Sequence, residues 1–457
     1  MQRNKCLHSL GGARGARNYL KFTALAASTI ALVKVGNPLD VSLVTSLNGS
    51  PWQAYTIGNT ISLNEGDELR WKASTYNNTL ANGLSNYHNF VTTGNLSASG
   101  YLSSLIDGSV RVRTLQGNYL FVGLFANNTA LSAAPMIGAE RSHGEYQFAR
   151  TFENCSALEN VPAITITPDN YGFMQTFRGC TALRIVPTCK IELKKGVCYG
   201  TFEGCTSLED ASAIEISGEI SPHEDMMEMF KNCGSLQFLP RLNAVDWSLI
   251  GQYSVLRMCV GCTSLEDASG ISISANNVCV REMFNGCESL LYPPTISANG
   301  VVSYGFYSVF KNCKSLVNAS AIQLYGSFEK NALEQAFDSC IHLTNQPKIE
   351  VSIADGQRTL MAAFRGCSEL QVVTLDFPAT LSSMWQSQMF LYTLQNCNAL
   401  TDVTITWEEW PPTALVPNQF FWPNISGVTL HVKPTLDISN PSTYGIPASW
   451  TIVQDVV

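Results

Sequence analysis

The chain has 457 residues, of which 45% are hydrophobic and only 14% charged, with a formal net charge of −8. That length leaves room for two or three domains, and that composition supports a real core, which excludes a disordered chain. A net negative chain gives no electrostatic footprint for nucleic acid, and no apolar run approaches the roughly 20 residues a membrane-spanning helix needs, so neither nucleic-acid binding nor membrane insertion is expected.

Residues 1–17 form a basic arm, with Arg3, Lys5, Arg14 and Arg17, that should not fold alone and suits attachment. The apolar run from Phe22 to Val33 behind it has the flanks of a signal peptide, but Thr23, Ser28 and Thr29 punctuate it as in a strand. Over residues 18–97 short alternating segments such as Val41 to Val44 and Glu68 to Trp71, with Asn48-Gly49 as a hairpin signal, predict a small antiparallel β-sandwich. Trp52 and Trp71 are expected in its core.

Residues 98–405 carry a repeat. Cys155, Cys180, Cys205, Cys233, Cys262, Cys287, Cys313, Cys340, Cys367 and Cys397 recur every 25 to 30 residues, nearly always with Phe three before and Leu three after. Phe125-x-x-Asn128-x-x-Leu131 is a weaker first copy, which brings the count to about eleven. A fixed period of this size marks a solenoid. The i, i+3 apolar spacing around each cysteine predicts a short helix or helical turn, and alternating pairs such as Ile164-Thr165-Ile166 predict a strand after it. The expected fold is therefore an α+β solenoid of helix–strand units, with residues 406–457, including a strand at Val428 to Val432, as a C-terminal β cap.

The cysteines look like packing material. Ten share one place in the repeat and should stack as a ladder, while Cys189 and Cys198 fall where other repeats carry Ile or Phe, so reduced, buried thiols are expected rather than disulfides. Units such as Phe202-Glu203-Gly204-Cys205-Thr206-Ser207-Leu208 resemble the BspA-like leucine-rich repeats of bacterial surface proteins, over about two thirds of the chain. The tail, with Trp410-Pro411-Pro412-Thr413 and Ala448-Ser449-Trp450, looks like the cap of such arrays. Cys259 and Leu394 replace the repeat Phe in two copies and leave local register open. The resemblance implies adhesion or recognition without catalysis, as in surface proteins of gut Bacteroidota and of phages that infect them.

No catalytic constellation stands out, and no cofactor or metal is expected. His223-Glu224-Asp225 lacks the second histidine of a zinc-protease helix and suits an acidic helix start, and Cys259-Val260-Gly261-Cys262 is half a zinc site without a second pair. Two binding candidates remain. Ten positions after each cysteine an outward strand position carries Lys190, Glu215, Asn243, Gln323 and Glu350 among others, a polar ladder that serves either recognition or plain solvation. Near the C-terminus Trp407, Trp410 and Trp422 form an aromatic cluster that either binds a partner or plugs the solenoid's end. The expectation is a non-enzymatic recognition or structural protein on a virion surface, of fibre or decoration type, attached through its N-terminal region. Met1 without a cleavable leader favours this over a bacterial cell-surface adhesin for glycans or host matrix, and a glycan-cleaving enzyme is the third reading. Its partners would be a protein or glycan on a bacterial surface or other virion proteins, and homo-oligomers are possible.

Overall fold

The computed structural model describes residues 18–456 except 78, 109–113, 138, 140, 187, 355–356, 377–387 and 411–424, and leaves out the side chains of 352–354. The N-terminal unit comprises β1 (Leu20–Ala24), β2 (Ser28–Val35), β3 (Leu43–Leu47), β4 (Gln53–Tyr55), β5 (Ile61–Leu63), β6 (Glu68–Ala73), β7 (Ala81–Gly83), β8 (Asn86–Thr93) and β9 (Leu96–Ser99). They form two antiparallel sheets, ordered β9-β1-β6-β3-β4 and β5-β2-β8-β7. Alternate residues of β1 and β6 face inward, as period two requires, and Phe22, Trp71 and Phe90 fill the core with ring centroids about 5.0 Å apart. Trp52 departs from expectation: it is half-buried at the surface, edge-on to Tyr19 at 5.2 Å, with the Lys72 ammonium 4.6 Å from its ring.

The sandwich passes directly into a β-solenoid of about twelve turns. After the four-residue helix α1 (Ser104–Asp107) come β10 (Thr114–Gln116), β11 (Leu131–Ala133) and β12 (Arg141–His143), and β11 adds to the first sandwich sheet in parallel to β9. Further on, β13 (Cys189–Glu192), β14 (Ile214–Glu219) and β15 (Arg241–Asp246) form one parallel sheet. A second contains β16 (Ser272–Val278), β17 (Thr295–Val301), β18 (Ile322–Phe328) and β19 (Lys348–Ala354). The last contains β20 (Val372–Leu375), β21 (Asp402–Ile405), β22 (Thr429–Val432) and β23 (Thr451–Gln454). The C-terminal segment thus contributes β22 and β23 as two more parallel strands on the same stack.

The helices expected around each cysteine are absent, and the reason is a different use of the same spacing. In the coil ending at Cys155, the N–H groups of Phe148, Arg150, Phe152 and Asn154 donate to carbonyls of the next coil, at Gly172, Met174, Thr176 and Arg178. Those of Ala149, Thr151, Glu153 and Cys155 donate three residues back. Half the amides make successive β-turns and half make an intercoil ladder, whereas an α-helix would use them all within the segment. The backbone also enters the left-handed region every four residues, at Tyr146, Arg150 and Asn154, which no helix tolerates. The residue before the repeat cysteine, or before Asn128 in the first copy, has positive φ in all eleven copies; it is Gly or Asn in ten and Ser339 in one. Those two residue types reach that conformation most cheaply.

This turn wall buries the repeat side chains. Phe125, Phe152, Phe177, Phe202 and Phe230 stack with centroids 5.1 to 5.6 Å apart, and Phe284, Phe310, Phe337 and Phe364 do so at 5.3 to 5.7 Å. Cys259 interrupts the column between Phe230 and Phe284. Each of the ten repeat thiols donates to the carbonyl of the aromatic position one coil earlier, at 3.0 to 3.2 Å. Fourteen cysteines are free and buried, Cys189 and Cys198 among them, and burial pushes the Cys155 and Cys205 thiols up to about 12. On the outer side of the same wall, charges alternate in sign from coil to coil. Arg178 reaches Glu153 (3.4 Å) and Glu203 (3.0 Å), Lys231 reaches Glu203 (3.3 Å) and Glu228 (2.9 Å), and Arg257 reaches Glu282 (3.0 Å).

Candidate functional site

The polar ladder of the strand wall is discontinuous and largely neutralises itself. Lys190 lies opposite Glu215 and pairs with it at 2.9 Å, but Glu215 lies opposite Arg241, not Asn243, and pairs with that guanidinium at 3.3 Å. Asn243 is exposed but out of line, because the pairing is already offset at Arg241 and a bulge follows between Arg241 and Ala244. The Lys190 ammonium, by hydrogen bond and then by charge, holds the Glu215 carboxyl below its ordinary range. Farther along, Gln323 lies opposite Lys348, and Glu350 lies opposite Tyr325. Gln323 accepts a hydrogen bond from the Tyr325 hydroxyl at 2.7 Å, while Glu350 pairs with Lys348 at 2.6 Å and raises the lysine's pKa.

The C-terminal aromatics divide. Trp407 is fully buried against Phe390 (5.2 Å), so its ring faces the core. Trp410 is half-buried, stacks on Tyr444 at 4.7 Å and donates its indole N–H to the Asp437 carbonyl at 2.7 Å. Trp422 lies outside the described residues. These contacts tie the end of the array together.

The surface that sequence reasoning missed is the corner where the turn wall meets the strand wall, five positions after each cysteine. From Cys180 to Cys367 this position carries Ile185, Asp210, Phe238, Asp267, Tyr292, Asn318, Asn345 and Val372. β-Bridges tie Ile185 to Asp210, Asp210 to Phe238, and Asp267 to Tyr292. Large apolar side chains alternate with Asx side chains as far as Asn318, and Phe238 and Tyr292 are 57% and 59% exposed. The Asx coils share one local build: Asp210 and Asp267 each accept, through Oδ1, the N–H two residues on at 2.7 Å. The intervening coils carry Pro240 and Pro294 two positions after the aromatic residue. The signal was legible as a two-coil alternation, Asp-Ala-Ser against apolar-x-Pro, but only when the column is read down the repeats.

The corner opens into a notch at a seam in the strand wall. Among the described residues no backbone hydrogen bond joins residues 235–250 to 265–278, and β15 and β16 belong to separate sheets. The notch, about 340 Å³, is lined by Ser212, Phe238, Pro240, Glu266, Asp267 and Gly270 among others. Among the described residues, Leu239 does not make the N–H bond to the next coil that Val186, Ala211, Ala268 and Ala319 make at the same place in the repeat. The core beneath stays closed, with Leu242, Ile271 and Ile273 no more than 3% exposed.

Other chemistry is already committed. Asp225 is buried and accepts from the Ser221 N–H (2.7 Å), the Ser221 hydroxyl (2.9 Å) and the Gly196 N–H (3.2 Å), so His223-Glu224-Asp225 enters a run of turns where a helix start was expected. Burial raises the Asp225 pKa against those hydrogen bonds. Cys259 and Cys262 are both fully buried, and among the described residues no group of three or more His, Cys, Asp or Glu could hold a metal ion. Among them, too, no helix is long and apolar enough to cross a membrane. Comparison with known proteins returned no matching family model, curated protein or solved structure.

Proposed function

We propose that the chain is a non-catalytic recognition or structural protein displayed on a surface, specifically a virion component of fibre or decoration type that is anchored by its N-terminal region and projects the solenoid. The observation that carries this reading is the repetition of the outer surface. About twelve stacked coils place equivalent repeat positions side by side on a continuous core, the geometry with which repeat proteins present extended contact faces. The sandwich contributes a strand to the same stack, so a load on the rod would pass to the anchored end without a flexible joint.

Labelling with an antibody against the solenoid, followed by imaging of intact particles, tests the proposal. Regular label on virions is the expected result. Label confined to bacterial envelopes would instead establish the adhesin alternative, and release of products from a capsule polysaccharide panel would overturn the non-catalytic assignment.

A further inference from the structure

Phe238 and Tyr292 stand apart from the other repeat aromatics. The rings three positions before the cysteines are buried in a column, while these two lie more than half exposed on the same corner, two coils apart. Phe238 has no polar atom, so water gains nothing from its face, and a partner with an apolar face of its own would. Three carboxylates surround the rings: Asp210 on one side of Phe238, Glu266 and Asp267 between Phe238 and Tyr292. Among the described residues none of the three has a cation within 4.0 Å, although the neighbouring Glu209 is held by Arg184. Gly270 has no backbone reason to be glycine, since its φ is not positive, and a Cβ there would meet nothing within 4 Å. The equivalent positions in the other Asx coils are Ala213 and Ala321. The missing methyl leaves the notch open beside the Phe238 ring.

Exposed ring faces flanked by unpaired carboxylates match one ligand chemistry closely. A pyranose presents an axial C–H face that stacks on an aromatic ring and equatorial hydroxyls that donate to carboxylates. Two coil steps separate the rings, each about 4.8 Å where strands pair, and the unpaired seam lies between Phe238 and Asp267, so a single sugar cannot cover both rings and a chain of sugars can. The uncompensated negative charge at the corner repels uronic and sulfated glycans. An extended peptide fits less well, because the closed core beneath the seam leaves no slot into which a strand could pair.

We propose that this corner binds a neutral linear polysaccharide, with sugar rings stacked on Phe238 and Tyr292 and hydroxyls donating to Asp210, Glu266 and Asp267. The proposal rests on the reading of the chain as a recognition rod and names the ligand class and the site. The test is affinity electrophoresis of the full chain through gels containing xylan, galactomannan, yeast mannan, hydroxyethylcellulose or dextran, with alginate and polylysine as charged probes. At least one neutral polymer should retard the protein, and Phe238→Ala with Tyr292→Ala should weaken that binding at least tenfold at an unchanged melting temperature. Gly270→Leu, which fills the notch from an open position, should weaken it as well, and alginate should not bind. Retardation by none of the neutral polymers overturns the proposal, as does equal retardation of the double variant or ring-dependent binding of polylysine alone. A neutral polymer bound equally by wild type and double variant would sink this site and leave the recognition reading standing; particles that lack the antibody label would sink that reading separately.

Discussion

The two walls of the solenoid are built from the same chain at the same period, yet one is continuous and the other is not. On the turn wall each coil from Tyr119 to Gln395 is tied to the next through backbone amides, whatever side chains intervene. On the strand wall the pairing stops between β15 and β16. The difference lies in what sets the register. Turn-wall register follows from a left-handed residue before every cysteine, a backbone feature that neighbouring coils share. Strand-wall register depends on local events, and a bulge in one strand shifts it. Side chains can therefore vary on the strand side and its corner while the turn wall keeps the coils in register.

The largest test of this division is Phe310→Ala, which removes a ring stacked between Phe284 and Phe337 and should destabilise by about 3–5 kcal/mol in urea unfolding. An effect as small as that of Ser297→Ala on the outer strand face would mean that the turn wall does not hold the core. Gly204→Val comes next. The position has φ of +72°, and a Cβ would meet only the Gly179 backbone at 3.9 Å, an ordinary contact, so the strain is mainly conformational and should cost about 2 kcal/mol, with Gly204→Asn costing less. A helix at this place would respond with the opposite sign, since valine there outranks glycine.

Glu203→Gln should lose about 1 kcal/mol, because Glu203 is mostly buried and holds both Arg178 and Lys231, and the loss should shrink at high salt. The double substitution Lys190→Ala with Glu350→Ala on the strand wall should change stability by less than about 0.5 kcal/mol in the same assay. An effect on the scale of Glu203 would place structural charge on both walls.

The two ends of the molecule should answer pH in opposite directions. Burial lowers the pKa of His88 in the sandwich, against a hydrogen bond from Nδ1 to the Leu80 carbonyl and with Lys34 and Asp40 nearby. Its contribution is present above the unfolded pKa of about 6.5 and is lost as pH falls below that value. His431 in β22 has its pKa raised by hydrogen bonds to Asp455 (2.9 Å) and Asp402 (3.4 Å). Its contribution is present below about 6.5 and is lost as pH rises through the folded value. Hydrogen exchange between pH 5.5 and 7.5, corrected for intrinsic rate, should show residues 80–93 tightening and residues 429–454 loosening as pH rises. The same sign at both ends would refute the two assignments.

The solenoid and its buried thiols were readable from the cysteine beat, because a fixed period with apolar residues at set offsets leaves few other ways to bury them. The helix was misread because Phe-x-x-Cys-x-x-Leu has the same apolar spacing in a run of β-turns as in a helix. Gly179, Gly204 and Asn312, each just before a cysteine, held the corrective signal, since a helix interior disfavours both residue types. Arg241 could not be recognised as the partner of Glu215, because it lies eight residues after its cysteine and Glu215 ten, an offset set by the path of the chain between Cys233 and β15. Phe238 and Tyr292 were visible in sequence, but their exposure comes from the corner of the coil, which has no counterpart in a helix–strand unit.

The first coil does not have to nucleate itself. Asn89 of the sandwich donates to the Gly123 and Ala126 carbonyls at 2.7 and 2.9 Å, the Phe90 N–H donates to Leu124 at 2.7 Å, and the Phe90 ring stacks on Phe125 at 5.4 Å. Asn128, in the place of a thiol, reaches back to the Phe90 carbonyl at 3.4 Å. The sandwich thus acts as a seed crystal whose surface already has the lattice of the rod, and each coil laid down leaves a row of N–H donors for the next. Excising one whole coil should leave a folded protein about 4.8 Å shorter.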